Sequence, residues 1–121
     1  MTNLEVGKKL VELCSAGKNQ EAMQTLYADN IVSIEAAGPP GASLETRGRA
    51  AVFEKSGQFG AAHEFHGAKC EGPWPHGDRF IVRFTYDLTQ KASGHRFTLD
   101  EAALFTVKDG KIVREEFFFS M

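Results

Sequence analysis

The hydrophobic pattern of this chain changes period once, near residue 60, and that change restricts the fold more than any other feature. Before it, apolar residues recur at helical spacing; after it, they alternate, as in strands whose side chains point to opposite faces in turn. In "TNLEVGKKLVELCSAG" Leu4, Leu10, Val11, Leu13 and Cys14 share a helical face, Thr2 and Glu5 form a capping-box pair, and Gly17 stands where a helix end favours glycine. "NQEAMQTLYADN" predicts a shorter second helix with Ala22, Met23, Leu26 and Tyr27 on its apolar face. "IVSIEAA" reads as a strand rich in β-branched residues, ended by "GPPG", and "RAAVFEKSGQFGAA" predicts a third helix. Four strands follow: "HEFHGAKCEGPW" and "RFIVRFTYDLT" across the turn cluster "PHGD", then "RFTLDEAALFTV" and "KIVREEFFF" around "KDGK". Asp109-Gly110 between two apolar runs signals a hairpin tip, because a tight hairpin turn needs residues that tolerate positive φ. Helices gathered in one half and strands in the other predict an α+β fold. Three N-terminal helices would pack on a curved, mostly antiparallel sheet, in one domain over residues 1–121.

Composition narrows the partners. With 42% hydrophobic residues in 121, the chain can build one real core. A net charge of −2 and no Lys/Arg stripe interleaved with aromatics argue against nucleic acid. No apolar run approaches the ~20 residues of a membrane span. The amino terminus reads as a charged amphipathic helix without the apolar block of a signal peptide, so a cytoplasmic location without membrane contact is expected. Cys14 and Cys70 read as buried thiols.

The order of elements, with "LYADNIVSIE" joining the second helix to the first strand, resembles the nuclear transport factor 2-like superfamily. "RGRAAVFEKSGQF" and "VKDGKIVREEFFF" are similar to the SnoaL-like branch, and the similarity runs from Leu4 to Phe119. The resemblance implies a cone-shaped α+β barrel (cystatin-like), a deep apolar pocket between sheet and helices, and a homodimer. It does not select a reaction, since one such fold hosts many activities.

Strand parity nominates the site. Phe80, Val82, Phe84 and Tyr86 point inward from the second strand of the meander, and Leu99, Glu101, Ala103, Phe105 and Val107 from the third. The last strand would turn Val113, Glu115, Phe117 and Phe119 inward, and Ile112 and Phe118 outward onto a face covered by a second subunit. Cys70 and Trp74 set the parity of the strand from His63, bringing His66 and Glu64 inward. Glu35 is the leading acid, because the resemblance implies a proton-shuttling carboxylate at the end of the first strand. A carboxylate in an apolar pocket is discouraged from ionising and so becomes a usable base. Glu115 with His66 is a second acid–base pair, and Glu101 a further acid. The positions at which ketosteroid isomerases carry their tyrosine and second acid fall on Val11 and near Ala103, so steroid isomerisation is not expected. Trp74, Phe80, Phe84, Tyr86, Phe105 and Phe117 would shape the binding cavity. His63 and His66 of "HEFH" lie on opposite strand faces, so no metal site and no cofactor are expected. Two readings stay open. One is a cofactor-independent isomerase, cyclase, dehydratase or hydrolase acting on a small apolar or amphipathic molecule. The other is a non-catalytic binding or dimeric assembly module.

Overall fold

A computed structural model describes residues 1–119; Ser120 and Met121, the last two residues of the expected domain, lie outside the described residues. Helix α1 (Asn3–Ser15) starts from the expected capping box: the Glu5 amide donates to Thr2 Oγ1 at 3.1 Å, and the Thr2 amide donates to Glu5 Oε1 at 3.0 Å. Its buried stripe is Val6, Gly7, Leu10 and Leu13. Helix α2 (Asn19–Leu26) ends sooner than its spacing suggests, and Tyr27 opens strand β1 (Tyr27–Ile34). A short strand β2 (Glu45–Arg47), absent from the sequence reading, pairs back on β1. Helix α3 (Arg49–Ala62) has the expected limits. Strands β3 (His63–His76), β4 (Arg79–Gln90), β5 (Arg96–Lys108) and β6 (Lys111–Phe118) form the meander.

The six strands lie in the order β2-β1-β6-β5-β4-β3, with β1 and β6 parallel and every other pair antiparallel. The fold is α+β: three helices packed on one mixed sheet. Asp109 and Gly110 tip the last hairpin with φ of 52° and 77°, the positive pair that a type I′ turn demands.

One end of the space between helices and sheet is packed solid. Val6 and Leu10 of α1 meet Phe80, Val82, Phe105, Val107 and Ile112, all nearly without exposure. The rings of Phe80 and Phe105 stack at 5.2 Å. Burying each such side chain contributes about 1.5–3 kcal/mol. Gly7 permits the approach, since a Cβ there would stand 3.1 Å from Pro73 and 3.3 Å from Phe80.

Three register shifts correct the sequence reading, each because one extra residue turns the rest of a strand over. Between the pairs Phe65–Leu88 and Gly67–Asp87, His66 is the extra residue. It stands exposed on the outside, its Nε2 2.6 Å from Thr89 Oγ1. Between Glu71–Arg83 and Trp74–Ile81 two residues oppose one, so Trp74 points outward and is 53% exposed. Between Thr106–Arg114 and Val107–Ile112, Val113 is the bulged residue. Ile112, expected on the outer face, is therefore fully buried in the core, while Phe118 stays outside at 50% exposure. No helix among the described residues is long and apolar enough to cross a membrane.

Candidate functional site

Beyond the packed end, helices and sheet part around a cavity of about 970 Å³. Leu10 and Cys14 of α1 and Met23 of α2 close one side. Val52, Lys55, Ser56 and Phe59 line it from α3, spaced three and four apart so that they share a helix face. The sheet contributes Phe84 and Tyr86 from β4, Leu99, Glu101 and Phe105 from β5, and Glu115 and Phe117 from β6. Phe59 and Phe65, both partly exposed, stand at the open side with their rings 6.2 Å apart.

Three carboxylates reach this wall, in different states. Glu115 is 3% exposed and has both oxygens engaged. The Tyr27 hydroxyl donates to its Oε1, and Ser33 Oγ donates to its Oε2 at 2.8 Å. The sheet arranges this, because β1 runs parallel to β6 with Ser33 beside Glu115. Burial pushes the Glu115 carboxyl up from the ordinary carboxylate range, and the two hydroxyl donors pull against it. Tyr27, buried against that carboxylate, is held far above the usual phenol range, by burial first and by the Glu115 charge second.

Lys55 extends the network. Its Nζ donates to Ser33 Oγ at 2.8 Å and pairs with Glu35 Oε1 at 2.8 Å. Glu35 follows Ser33 by two residues and so keeps its parity toward the cavity. One connected chain therefore runs from Glu35 through Lys55 and Ser33 to Glu115 and Tyr27.

Glu101 stands apart. It makes no hydrogen bond or ion pair with another described residue. Burial, followed by the charges of Glu35 and Glu115, pushes its carboxyl up to about 7, with Lys55 offsetting part of the rise. Phe84 lies directly across the ladder from it, and Tyr86, paired with Leu99, is its diagonal neighbour on the same face. Burial raises the Tyr86 phenol as well, so it stays protonated through the neutral range.

Of the residues nominated from sequence, Glu35, Glu101, Glu115, Phe84, Tyr86, Phe105 and Phe117 meet on this wall. His66 and Trp74 do not, because the β3 bulges turn them outward, so the expected Glu115–His66 pair does not form. Phe80 points inward as expected but lies in the packed end, against Gly7 and Phe105, and not on the cavity. Sequence reasoning missed Tyr27, Ser33 and Lys55. Lys55 was findable, being three residues after the buried Val52 on the same helix face. Tyr27 and Ser33 depend on a parallel pairing that no local pattern encodes. Among the described residues no three His, Cys, Asp or Glu side chains are arranged to hold a metal ion.

The SnoaL-like domain family matches residues 1–119, essentially the described chain. This chain belongs to the SnoaL-like family. The SnoaL-like domain superposes with a TM-score of 0.92 on a protein from Mesorhizobium loti provisionally named a SnoaL-like polyketide cyclase; the two are 42% identical over 98% of this chain and 99% of that one. A nuclear transport factor 2-like protein from Burkholderia thailandensis is 24% identical, with a TM-score of 0.82 over 99% of this chain and 92% of that one. A Bacillus subtilis protein provisionally named an isomerase is 17% identical, with a TM-score of 0.79 over 99% and 90%. The last two likenesses show the fold alone. No curated protein matches this SnoaL-like domain.

Proposed function

We propose that this SnoaL-like domain is a cofactor-independent acid–base enzyme for a small apolar or amphipathic organic molecule, with Glu101 as the group that exchanges protons. The observation that carries the reading is the state of Glu101: open to an aromatic cavity, without a partner among the described residues, and balanced between its two forms near neutral pH. A group at balance can both take and return a proton in one turnover. Tyr86 supplies the complement. Its phenol keeps its proton and can hydrogen-bond a ligand oxygen on which charge develops. In this reading the Glu101 carboxylate removes a proton from a carbon beside a ligand carbonyl, Tyr86 supports the enolate oxygen, and the Glu101 carboxyl returns the proton elsewhere on the ligand. The acid ends as it began. Isomerisation, cyclisation and dehydration all begin with such a transfer. Glu35 and Glu115, nominated as catalytic from sequence, act here as positioning residues, since Tyr27 and Ser33 hold both oxygens of Glu115 and Lys55 pairs with Glu35 through Oε1.

Hydrogen–deuterium exchange tests this. In D2O, a panel of small cyclic ketones should gain deuterium beside the carbonyl in the presence of the protein. Glu101→Gln should slow that gain by roughly 100-fold or more, the usual contribution of a general base. Ketones that bind without exchanging, or that exchange equally well with Glu101→Gln, would contradict the reading and leave a binding module. The same reading has a second copy of the chain covering the outer sheet face, where Trp74, Ile81 and Phe118 are exposed. Sedimentation at micromolar concentration should show a dimer, and a stable monomer would remove that part.

A further inference from the structure

We infer that the ligand of this cavity carries a cationic nitrogen, a protonated or quaternary amine, seated between the Glu101 carboxylate and the rings of Phe84, Tyr86 and Phe117. The inference rests on the reading of the cavity as a ligand site and names the class of ligand it takes. The cavity defines the site; its charge inventory selects the occupant.

Among the described lining residues Lys55 is the single cation, set against the carboxylates of Glu35, Glu101 and Glu115. That cation is engaged, with Nζ 2.8 Å from both Glu35 Oε1 and Ser33 Oγ. Glu115 is satisfied by two hydroxyl donors. One carboxylate is left over, and it is Glu101. An anionic ligand would add to an excess of like charge, and a neutral one would leave it uncorrected. A cation relieves it.

The surrounding surface suits the same charge. Phe84 is the direct cross-strand neighbour of Glu101, its ring 6.0 Å from that of Tyr86 and nearly parallel to it, and Phe117 pairs with Ala103, two residues along β5. Aromatic faces attract a desolvated ammonium through the ring quadrupole and offer nothing comparable to a carboxylate. A ligand that brings its own positive charge also adds to the hydrogen bond from Tyr86 in the proposed chemistry, because a neighbouring ammonium steadies a developing enolate.

Cation binding is linked to protonation. The titratable and charged groups that face Glu101 are Glu35, Glu115, Lys55 and Tyr86, and of these Lys55 is the only positive one. An ammonium beside Glu101 favours its ionised form, so binding strengthens as the pH rises through about 7.

Three probes of one shape test the inference: cyclohexylamine, cyclohexanol and cyclohexanecarboxylate, titrated calorimetrically into the full chain at pH 8 and pH 5.5. At pH 8 the amine should bind about tenfold or more tighter than the alcohol, as expected for an ion pair backed by cation–π contact, with the carboxylate weakest. The preference should shrink at pH 5.5 and vanish in Glu101→Gln, which should still bind the alcohol. Equal binding of amine and carboxylate, or an amine preference that survives Glu101→Gln, would overturn the inference. Alcohol binding with no amine preference overturns it while leaving the acid–base reading to the deuterium assay. Failure of all three to bind at millimolar concentration overturns it as well.

Discussion

Glu115 and Glu101 hang from adjacent strands and face one cavity, yet β6 holds its acid in a closed network while β5 leaves its acid open. Glu115 is the more deeply buried and has a hydroxyl donor on each oxygen. Glu101 is less buried, has no partner among the described residues, and is brought to a balance of forms near neutral pH. The difference teaches that depth alone does not make a carboxylate a reagent. An acid whose lone pairs are already committed serves structure, and one that is desolvated but unpaired is ready for a ligand.

The comparison can be broken most sharply by activity. Once a ligand exchanges protons, Glu101→Gln should cost roughly 100-fold or more in rate, and Glu115→Gln clearly less. Equal losses in single-turnover measurements would mean that the two acids act as a unit, and the division between them would fall. Stability should show the opposite ranking. In the unfolded chain the Glu101 carboxyl titrates near its ordinary 4.5, but in the folded one it titrates near 7. The folded state therefore holds the proton longer, and stability falls as the pH rises through that window. The loss comes to about 3 kcal/mol by pH 8. Glu101→Gln should recover most of it in urea unfolding at pH 8 and change little at pH 4. A variant no more stable than the parent at pH 8 would show that Glu101 is better solvated than its surroundings suggest.

The closed side yields smaller effects. Tyr27→Phe keeps the ring but removes the donor to a buried carboxylate, at a cost of about 1.5–3 kcal/mol at neutral pH. Ser33→Ala should cost less, about 1 kcal/mol, because Lys55 Nζ lies 2.8 Å from Ser33 Oγ and can turn its charge toward Glu115. Urea midpoints reversed in order would show that Lys55 depends on Ser33 for its position.

The sequence made the elements legible wherever local chemistry decides them. Thr2 and Glu5 start α1, Asp109-Gly110 turns the last hairpin, and α3 runs between its expected limits. It also placed Glu101, Phe84, Tyr86 and Phe117 correctly, because β4 and most of β5 run without a break in register. What failed were the positions beyond a bulge. His66 and Trp74 lie at the two shifts in β3, and Ile112 lies beyond Val113 in β6. An extra residue is invisible to a period-two count, since alternation resumes in the opposite phase. Tyr27 and Ser33 were missed for another reason. Their partner Glu115 is more than eighty residues away, and the parallel β1–β6 pairing that brings them together is a long-range choice of the fold.

The central claim is that Glu101 is a partly desolvated acid, without a partner among the described residues, poised to exchange protons at neutral pH. Carbon-13 NMR of glutamate-labelled protein, titrated from pH 4 to pH 9 with Glu101→Gln to assign the resonance, measures that directly. The account predicts a midpoint for Glu101 of about 7. A midpoint at the ordinary 4.5 would contradict it, because Glu101 would then be a solvated carboxylate with no special claim on the chemistry of the cavity.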